Sequence, residues 1–166
     1  MLPHYKVYTM PNPILKEGQE APLFCLHTDE DKELCLKDLR GQKVVLYFYP
    51  KDMTPGCTTQ ACDLRDAHST FTDAGYTILG VSPDPVARHV KFKEKHDLNF
   101  PLLADPEHTV AESYGVWREK KNYGKTYMGI VRSTFVIDEE GKIAHILDNT
   151  RAKGHSEKLA KLLEIA

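Results

Sequence analysis

The sequence predicts an α/β protein, a mixed central β-sheet flanked by helices, with a β-hairpin near its N-terminal end. Three observations carry this. Two apolar runs, 44–49 and 76–82, have the length and composition of buried strands, and a helix-competent stretch follows each. Residues 133–138 and 142–147 flank a Glu139-Glu140-Gly141 turn and read as a hairpin. The resulting order, ββ-β-α-β-α-β-α-ββ-α, layers helices over a sheet that cannot be wholly antiparallel.

Taken in order, residues 1–16 are polar and broken by Pro3, Pro11 and Pro13, which predicts an extended arm ahead of one domain over 17–166. Leu23–Leu26 and Glu33–Leu36 flank a polar turn and form the predicted hairpin. Residues 37–41 are a turn closed by Gly41. The strand at 44–49 leads into a helix expected to run to about Phe71, with Ala74-Gly75 as its stop. After the strand at 76–82, Pro83 and Pro85 open a helix over 86–96, with Val90, Phe92 and Leu98 facing inward. A short strand at 100–104 and a short helix at 107–114 follow. Residues 115–130, with three glycines and a Lys120-Lys121 pair, read as a surface loop. Ser156 caps the last helix, and Leu159, Leu162 and Leu163 form its apolar stripe.

Composition narrows the function. A chain of 166 residues suits one domain with its own core. The net charge of −2, with acids and bases interspersed, leaves no polybasic footprint and argues against a nucleic-acid partner. No run of about 18 apolar residues is present, so no membrane-spanning helix is expected. Residues 1–8 lack the apolar core of a signal peptide, which predicts a reducing cytoplasm, although a trimmed organellar form would read the same. Four cysteines at these spacings match neither a disulfide scaffold nor the usual zinc patterns, and no histidine pair has ligand spacing beside an acid or cysteine. The expected metal and cofactor content is none. What remains is thiol chemistry, or inert core thiols.

That chemistry centres on Thr54-Pro55-Gly56-Cys57. The run 44–50 is a strand closed by Pro50, and 61–68 reads as helix, so Cys57 falls in the first turn of a helix fed by a central strand. The first amides there have no intrahelical partners and the macrodipole is positive, which favours a thiolate. A strand–cysteine–helix unit with a closing ββα is the thioredoxin-like arrangement.

Pro50-Lys51-Asp52-Met53-Thr54-Pro55-Gly56-Cys57 resembles the peroxiredoxin signature of a proline, three residues, a Thr or Ser, two residues and the peroxidatic cysteine. Tyr47-Phe48-Tyr49 before it, Cys62 five positions on, and the 129–135 segment with Arg132 are similar to the atypical 2-Cys branch called PrxQ or bacterioferritin-comigratory protein. The likeness runs from about Ile14 onward. It implies a thioredoxin-like peroxiredoxin fold and a thiol peroxidase reducing hydrogen peroxide and organic hydroperoxides. It also implies recycling by thioredoxin or glutaredoxin, and a monomer. By the same resemblance, Thr54, the backbone of Pro55 and Gly56, and Arg132 bind peroxide and stabilise its leaving oxygen, while Pro50 shields the sulfenic acid.

Ionisation alone falls short of that task. A thiol of pKa 8.5 is about 3% thiolate at pH 7, so full ionisation gains roughly 30-fold, ~2 kcal/mol, and nucleophilicity falls with pKa. The rest must come from donors at the breaking O–O bond. Thr54 is equally a helix-cap residue, and Arg132, beside an apolar strand, is either a snorkelling edge residue or a charge with a purpose; the resemblance favours the site role for both.

In a regular helix Cys57 and Cys62 are ~8–9 Å apart at their α-carbons, beyond the ~7 Å reach of a disulfide. The Cys57–Cys62 bond that the resemblance implies therefore requires the first turn to unwind; the alternative is Cys62 as an apolar filler. Cys25 and Cys35 are expected to be small buried hydrophobes, although their hairpin could make them cross-strand neighbours. Two rivals share the fold. A dithiol-disulfide oxidoreductase normally spaces its cysteines by two residues, not four. A redox-regulated holdase needs exposed apolar surface that sequence does not reveal.

Overall fold

The structure, a computed structural model, describes residues 15–165. The arm expected over 1–16 lies outside them except for Leu15, which packs on the core, and Lys16. The strands are β1 (Cys25–Thr28), β2 (Glu33–Cys35), β3 (Lys43–Phe48), β4 (Tyr76–Ser82), β5 (Leu102–Ala104), β6 (Trp117–Asn122), β7 (Lys125–Ile130), β8 (Ser133–Ile137) and β9 (Ile143–Leu147). The helices are α1 (Pro55–Asp66), α2 (His68–Asp73), α3 (Val86–His96), α4 (Thr109–Ser113) and α5 (His155–Leu162). A 3₁₀ turn, Leu36–Leu39, joins β2 to the loop before β3.

Seven strands form one sheet in the order β2-β1-β5-β4-β3-β8-β9. β3, β4 and β5 run parallel, while β1, β2, β8 and β9 are antiparallel to their neighbours. The sheet is mixed, as the element order requires: the β3-α-β4-α3-β5 crossovers leave the strands parallel and the hairpins reverse them.

Strand β3 lies inside the sheet, between β4 and β8, and is buried on both faces, which explains its unbroken apolar run. Its side chains alternate between two cores. Val44, Leu46 and Phe48 join Phe24, Tyr114 and Phe135 on one face. Val45, Tyr47 and Tyr49 face the other, with Cys57, Ala61 and Leu64 of α1 and Leu159 of α5. The thiol therefore sits at the interface of sheet and helix, not on a loop.

Several expectations change. The helix over 57–71 is two helices, α1 and α2, divided at Ala67. Residues 115–130 are not a loop; β6 and β7 pair in register from Trp117↔Ile130 to Asn122↔Lys125 as a two-stranded ribbon. Its outer residues are polar and exposed, so no buried alternation marked it. Val90 is 37% exposed, and His89 takes the inward position beside Phe92. Ser156 does not cap α5: Gly154, in the left-handed conformation, holds that position, and Ser156 reaches across to α1.

Cys25 and Cys35 are bonded to each other, with α-carbons 4.0 Å apart, which corrects their reading as inert core thiols. They face each other directly in the β1–β2 register. The ladder bonds fall on the flanking positions (Leu36 N–H to the Phe24 carbonyl, at 3.0 Å, is one), so the cysteines occupy the close, non-hydrogen-bonded site.

Candidate active site

Thr54 has extended backbone and precedes α1, with Pro55 at the first helical position, where its missing N–H costs nothing. Gly56 and Cys57 follow, which puts the sulfur among the unpaired amides of the first turn. The Thr54 hydroxyl does not cap these amides. It donates to the Lys51 carbonyl at 2.7 Å, so its lone pairs remain the polar groups on offer.

The Cys57 side chain is almost wholly enclosed, 2% exposed. Arg132, just before β8, sends one terminal nitrogen to 3.5 Å from Cys57 Sγ, and its other donates to Gln60 Oε1 at 2.5 Å. Gln60 lies one turn beyond Cys57 on the same face of α1 and is fully buried. The Arg132 carbonyl accepts from Thr150 N–H at 2.8 Å, fixing its backbone. Gly56 leaves room for this approach: a β-carbon there would lie 3.2 Å from the guanidinium. The structure thus brings Cys57, Arg132 and the Pro55–Gly56 turn together, with Gln60 added.

Cys62 is partly exposed, and both it and Cys57 are free thiols. Both lie within the continuous helix α1, where five residues of rise keep them ~8–9 Å apart. Beside Cys62, Asp63 accepts from both the N–H and the hydroxyl of Ser156, each at 2.7 Å, pinning α1 to the start of α5.

The loop before Cys57 is held from below by a buried polar chain. Tyr49 donates to Asp52 Oδ1 at 2.5 Å, and His89 Nδ1 meets Asp52 Oδ2 at 2.6 Å. His89 Nε2 faces the Leu103 carbonyl at 2.9 Å, and since a carbonyl only accepts, that nitrogen is the donor there. Asp84 accepts from Asp52 N–H and from the Ser82 hydroxyl, each at 2.7 Å. This fixes residues 49–52, and with them the carbonyl of Lys51 that orients Thr54. Pro50 sits half-buried at the head of the loop.

Tyr47 lines the floor. Burial pushes the pKa of its hydroxyl well up, and charge on the Cys57 sulfur adds to that. The hydroxyl has no hydrogen-bond partner among the described residues. Gly80 is required opposite it, since a β-carbon would sit 2.9 Å from the Tyr47 ring. Lys120, on the ribbon, donates to the Ile130 carbonyl at 2.8 Å, and burial together with the Arg132 charge lowers its pKa.

Sequence reasoning passed over Gln60, Asp52, His89 and Lys120. The signal for Gln60 was its spacing three residues from Cys57. Asp52 stood inside the signature itself. His89 and Lys120 carried none, since each depends on a partner distant in sequence.

The sequence profile of the AhpC/TSA family matches residues 17–146. The peroxiredoxin Bcp of Bacillus subtilis is 54% identical over 138 residues, covering 83% of this chain and 88% of that one. The peroxiredoxin Bcp of Escherichia coli is 46% identical over 150 residues, 90% of this chain and 96% of that one. Among solved structures, the bacterioferritin comigratory protein of Xanthomonas campestris, described for its alkyl peroxide reduction activity, superimposes with a TM-score of 0.84. It is 34% identical and covers 90% of this chain and 98% of its own. A family profile across most of the chain, relatives near 50% identity and a shared fold agree, and the chain belongs to the AhpC/TSA family, among the Bcp/PrxQ peroxiredoxins, which are thiol peroxidases.

Proposed function

We propose that Cys57 is the peroxidatic residue of an atypical 2-Cys peroxidase and Cys62 its resolving partner, within a single domain over 17–166. The observation that carries this is the Arg132 guanidinium poised between Cys57 Sγ at 3.5 Å and Gln60 Oε1 at 2.5 Å. Peroxide enters above Gly56. The sulfur anion attacks the outer oxygen of R–O–O–H, the O–O bond breaks, and the leaving oxygen takes a proton to become R–OH or water. Arg132 and the first-turn amides stabilise the charge gathering on that oxygen. Thr54 accepts a hydrogen bond from the peroxide hydroxyl and so aligns it for attack.

The product is Cys57 sulfenic acid. The first turn of α1 then unwinds, Cys62 attacks the sulfenic sulfur, water leaves, and a Cys57–Cys62 disulfide forms. Two thiols of an external reductant restore both cysteines and leave as a disulfide. Thioredoxin or glutaredoxin fits this role because each presents an exposed dithiol or thiol. The resolving thiol lies in the same helix, so no second chain is needed and the protein works as a monomer. No helix among the described residues is long and apolar enough to cross a membrane, and the cytoplasm supplies the reductant. The 2% exposure of Cys57 favours hydrogen peroxide and slender alkyl hydroperoxides over bulky ones.

Peroxide consumption coupled to a dithiol reductant tests this reading. Cys57→Ser is expected to abolish turnover. Cys62→Ser is expected to complete one turnover and stop as sulfenic or sulfinic acid. Full multiple-turnover activity in Cys57→Ser, or unchanged cycling in Cys62→Ser, would overturn it.

A further inference from the structure

The β1–β2 hairpin carries a second cluster of sulfur and acid, remote in sequence from α1. In its register Cys25 faces Cys35 and His27 faces Glu33. Side chains two apart on a strand share a face, so Cys25, His27, Glu33 and Cys35 all project from the same side of the hairpin, with Leu26 and Leu34 turned the other way into the core. That side meets solvent at three of the four: Cys25 and Glu33 are exposed and the His27 side chain is 54% exposed, while Cys35 lies at the edge of the core, 9% exposed. The Glu33 carboxylate lies 3.9 Å from Cys35 Sγ, and one ligand atom each from Cys25, Glu33 and Cys35 fall within 4.8 Å of one another. His27 now points Nδ1 at Asp31, 3.0 Å away, on the exposed rim of the turn.

We propose that, once the Cys25–Cys35 bond is reduced, this face is a binding site for a thiophilic divalent cation of the Zn2+ class. Cys25, Cys35 and Glu33 supply three ligands, and His27 turns from Asp31 to supply the fourth. Two thiolates, an imidazole and a carboxylate make the mixed S/N/O set that a tetrahedral zinc accepts. Tetrahedral bonds of ~2.3 Å hold two sulfurs roughly 3.8 Å apart, which side chains opposed at a close, non-hydrogen-bonded site reach without moving the strands. Linear spacing hid the set, because C-x-H and E-x-C meet only through strand pairing. The second cluster of ligand type, Asp52, Asp84 and His89, is different: Tyr49, Ser82, Arg88 and the Leu103 carbonyl already occupy its donors and acceptors.

The two states exclude each other. A dithiol reductant attacks the accessible disulfide, takes up the two sulfurs' bond as its own disulfide, and leaves two protein thiols. Those thiols lose their protons on binding the cation. Peroxide, the substrate of a peroxidase, is the oxidant that reverses this. One cysteine sulfur attacks it and becomes a sulfenic acid as the O–O bond breaks and the alcohol or water leaves. The second sulfur displaces water to form the disulfide, and the cation, its thiolates consumed, is released. The hairpin edge thus couples metal occupancy to the thiol–disulfide balance that also recycles a peroxidase.

The test is a Zn2+ titration of the full chain, reduced with a phosphine and oxygen-free, against a chromophoric chelator, with Co2+ as the optical probe. Expected is one cation per chain with a thiolate-to-Co2+ charge-transfer band, absent when the 25–35 disulfide is re-formed. Cys57→Ser/Cys62→Ser is expected to retain it, Cys25→Ser/Cys35→Ser to lose it, and His27→Ala to weaken it about 10-fold or more. No binding by the reduced chain, binding that survives in Cys25→Ser/Cys35→Ser, equal binding by the oxidised chain, or unchanged affinity in His27→Ala would overturn the assignment. Peroxidase turnover is read separately, so failure here leaves the role of Cys57 untouched.

Discussion

Arg132 is held by Gln60: its guanidinium donates to the Gln60 carboxamide oxygen at 2.5 Å while the other terminal nitrogen faces Cys57 Sγ at 3.5 Å. Because Gln60 and Cys57 share one face of α1, the helix sets both the sulfur and the orientation of the cation above it. In the proposed resolution step, unwinding the first turn therefore also releases Arg132 from the sulfur, and refolding restores the pair together.

Gln60→Leu keeps the volume and removes the acceptor. A charge-assisted hydrogen bond contributes about 1.5–3 kcal/mol, which corresponds to a roughly 10- to 100-fold fall in kcat/KM for peroxide. Stopped-flow kinetics of the reduced protein check this, with circular dichroism confirming an unchanged fold.

His89→Leu removes the ring nitrogen 2.6 Å from Asp52 Oδ2 and leaves that buried carboxyl with the Tyr49 hydroxyl and without its imidazole partner. Breaking such a pair costs about 3–5 kcal/mol. Denaturant unfolding is expected to show that loss, and kcat/KM to fall as well, because the 49–52 loop no longer fixes the Lys51 carbonyl that orients Thr54.

Asp63→Ala removes both acceptors for Ser156 and unpins α1 from α5. Expected is a stability loss of about 1–3 kcal/mol. Quench-flow trapping of the sulfenic acid is expected to show faster closure of the 57–62 disulfide, since the helix end beside Cys62 gives way more easily.

His155 is buried against Thr134, and burial pushes its pKa from 6.5 down to about 4. Between those values the unfolded chain binds a proton that the folded chain refuses, so stability falls as pH drops from about 6.5 to about 4 and levels off below. The gap is worth about 3 kcal/mol. Unfolding measured across pH is expected to show this slope in the parent and a shallower one in His155→Asn.

The central strands and α3 were legible because burial leaves a mark in composition: 76–82 and 86–96 fall on β4 and α3 as predicted. The signature around Cys57 was legible because it is local. What escaped was non-local or solvent-facing. The β6–β7 ribbon presents Glu119, Lys121, Tyr123 and Lys125 to water, so no hydrophobic period distinguishes it from a loop. The break at Ala67 has no glycine or proline to announce it. The Cys25–Cys35 bond depends on a register that sets those residues opposite each other, which spacing alone leaves open. His89 reads as one more polar residue of an amphipathic helix until Asp52, 37 positions earlier, is placed beside it.

The claim that resolution requires α1 to open is tested most directly by amide hydrogen exchange on the reduced chain and on the chain oxidised with one equivalent of peroxide, with the disulfide mapped in the same samples. The account predicts a 57–62 bond and a loss of protection confined to the first turns of α1, with β3 and β4 unchanged. A 57–62 bond formed with the helix amides still protected, or a bond from Cys57 to Cys25 or Cys35 instead, would contradict it.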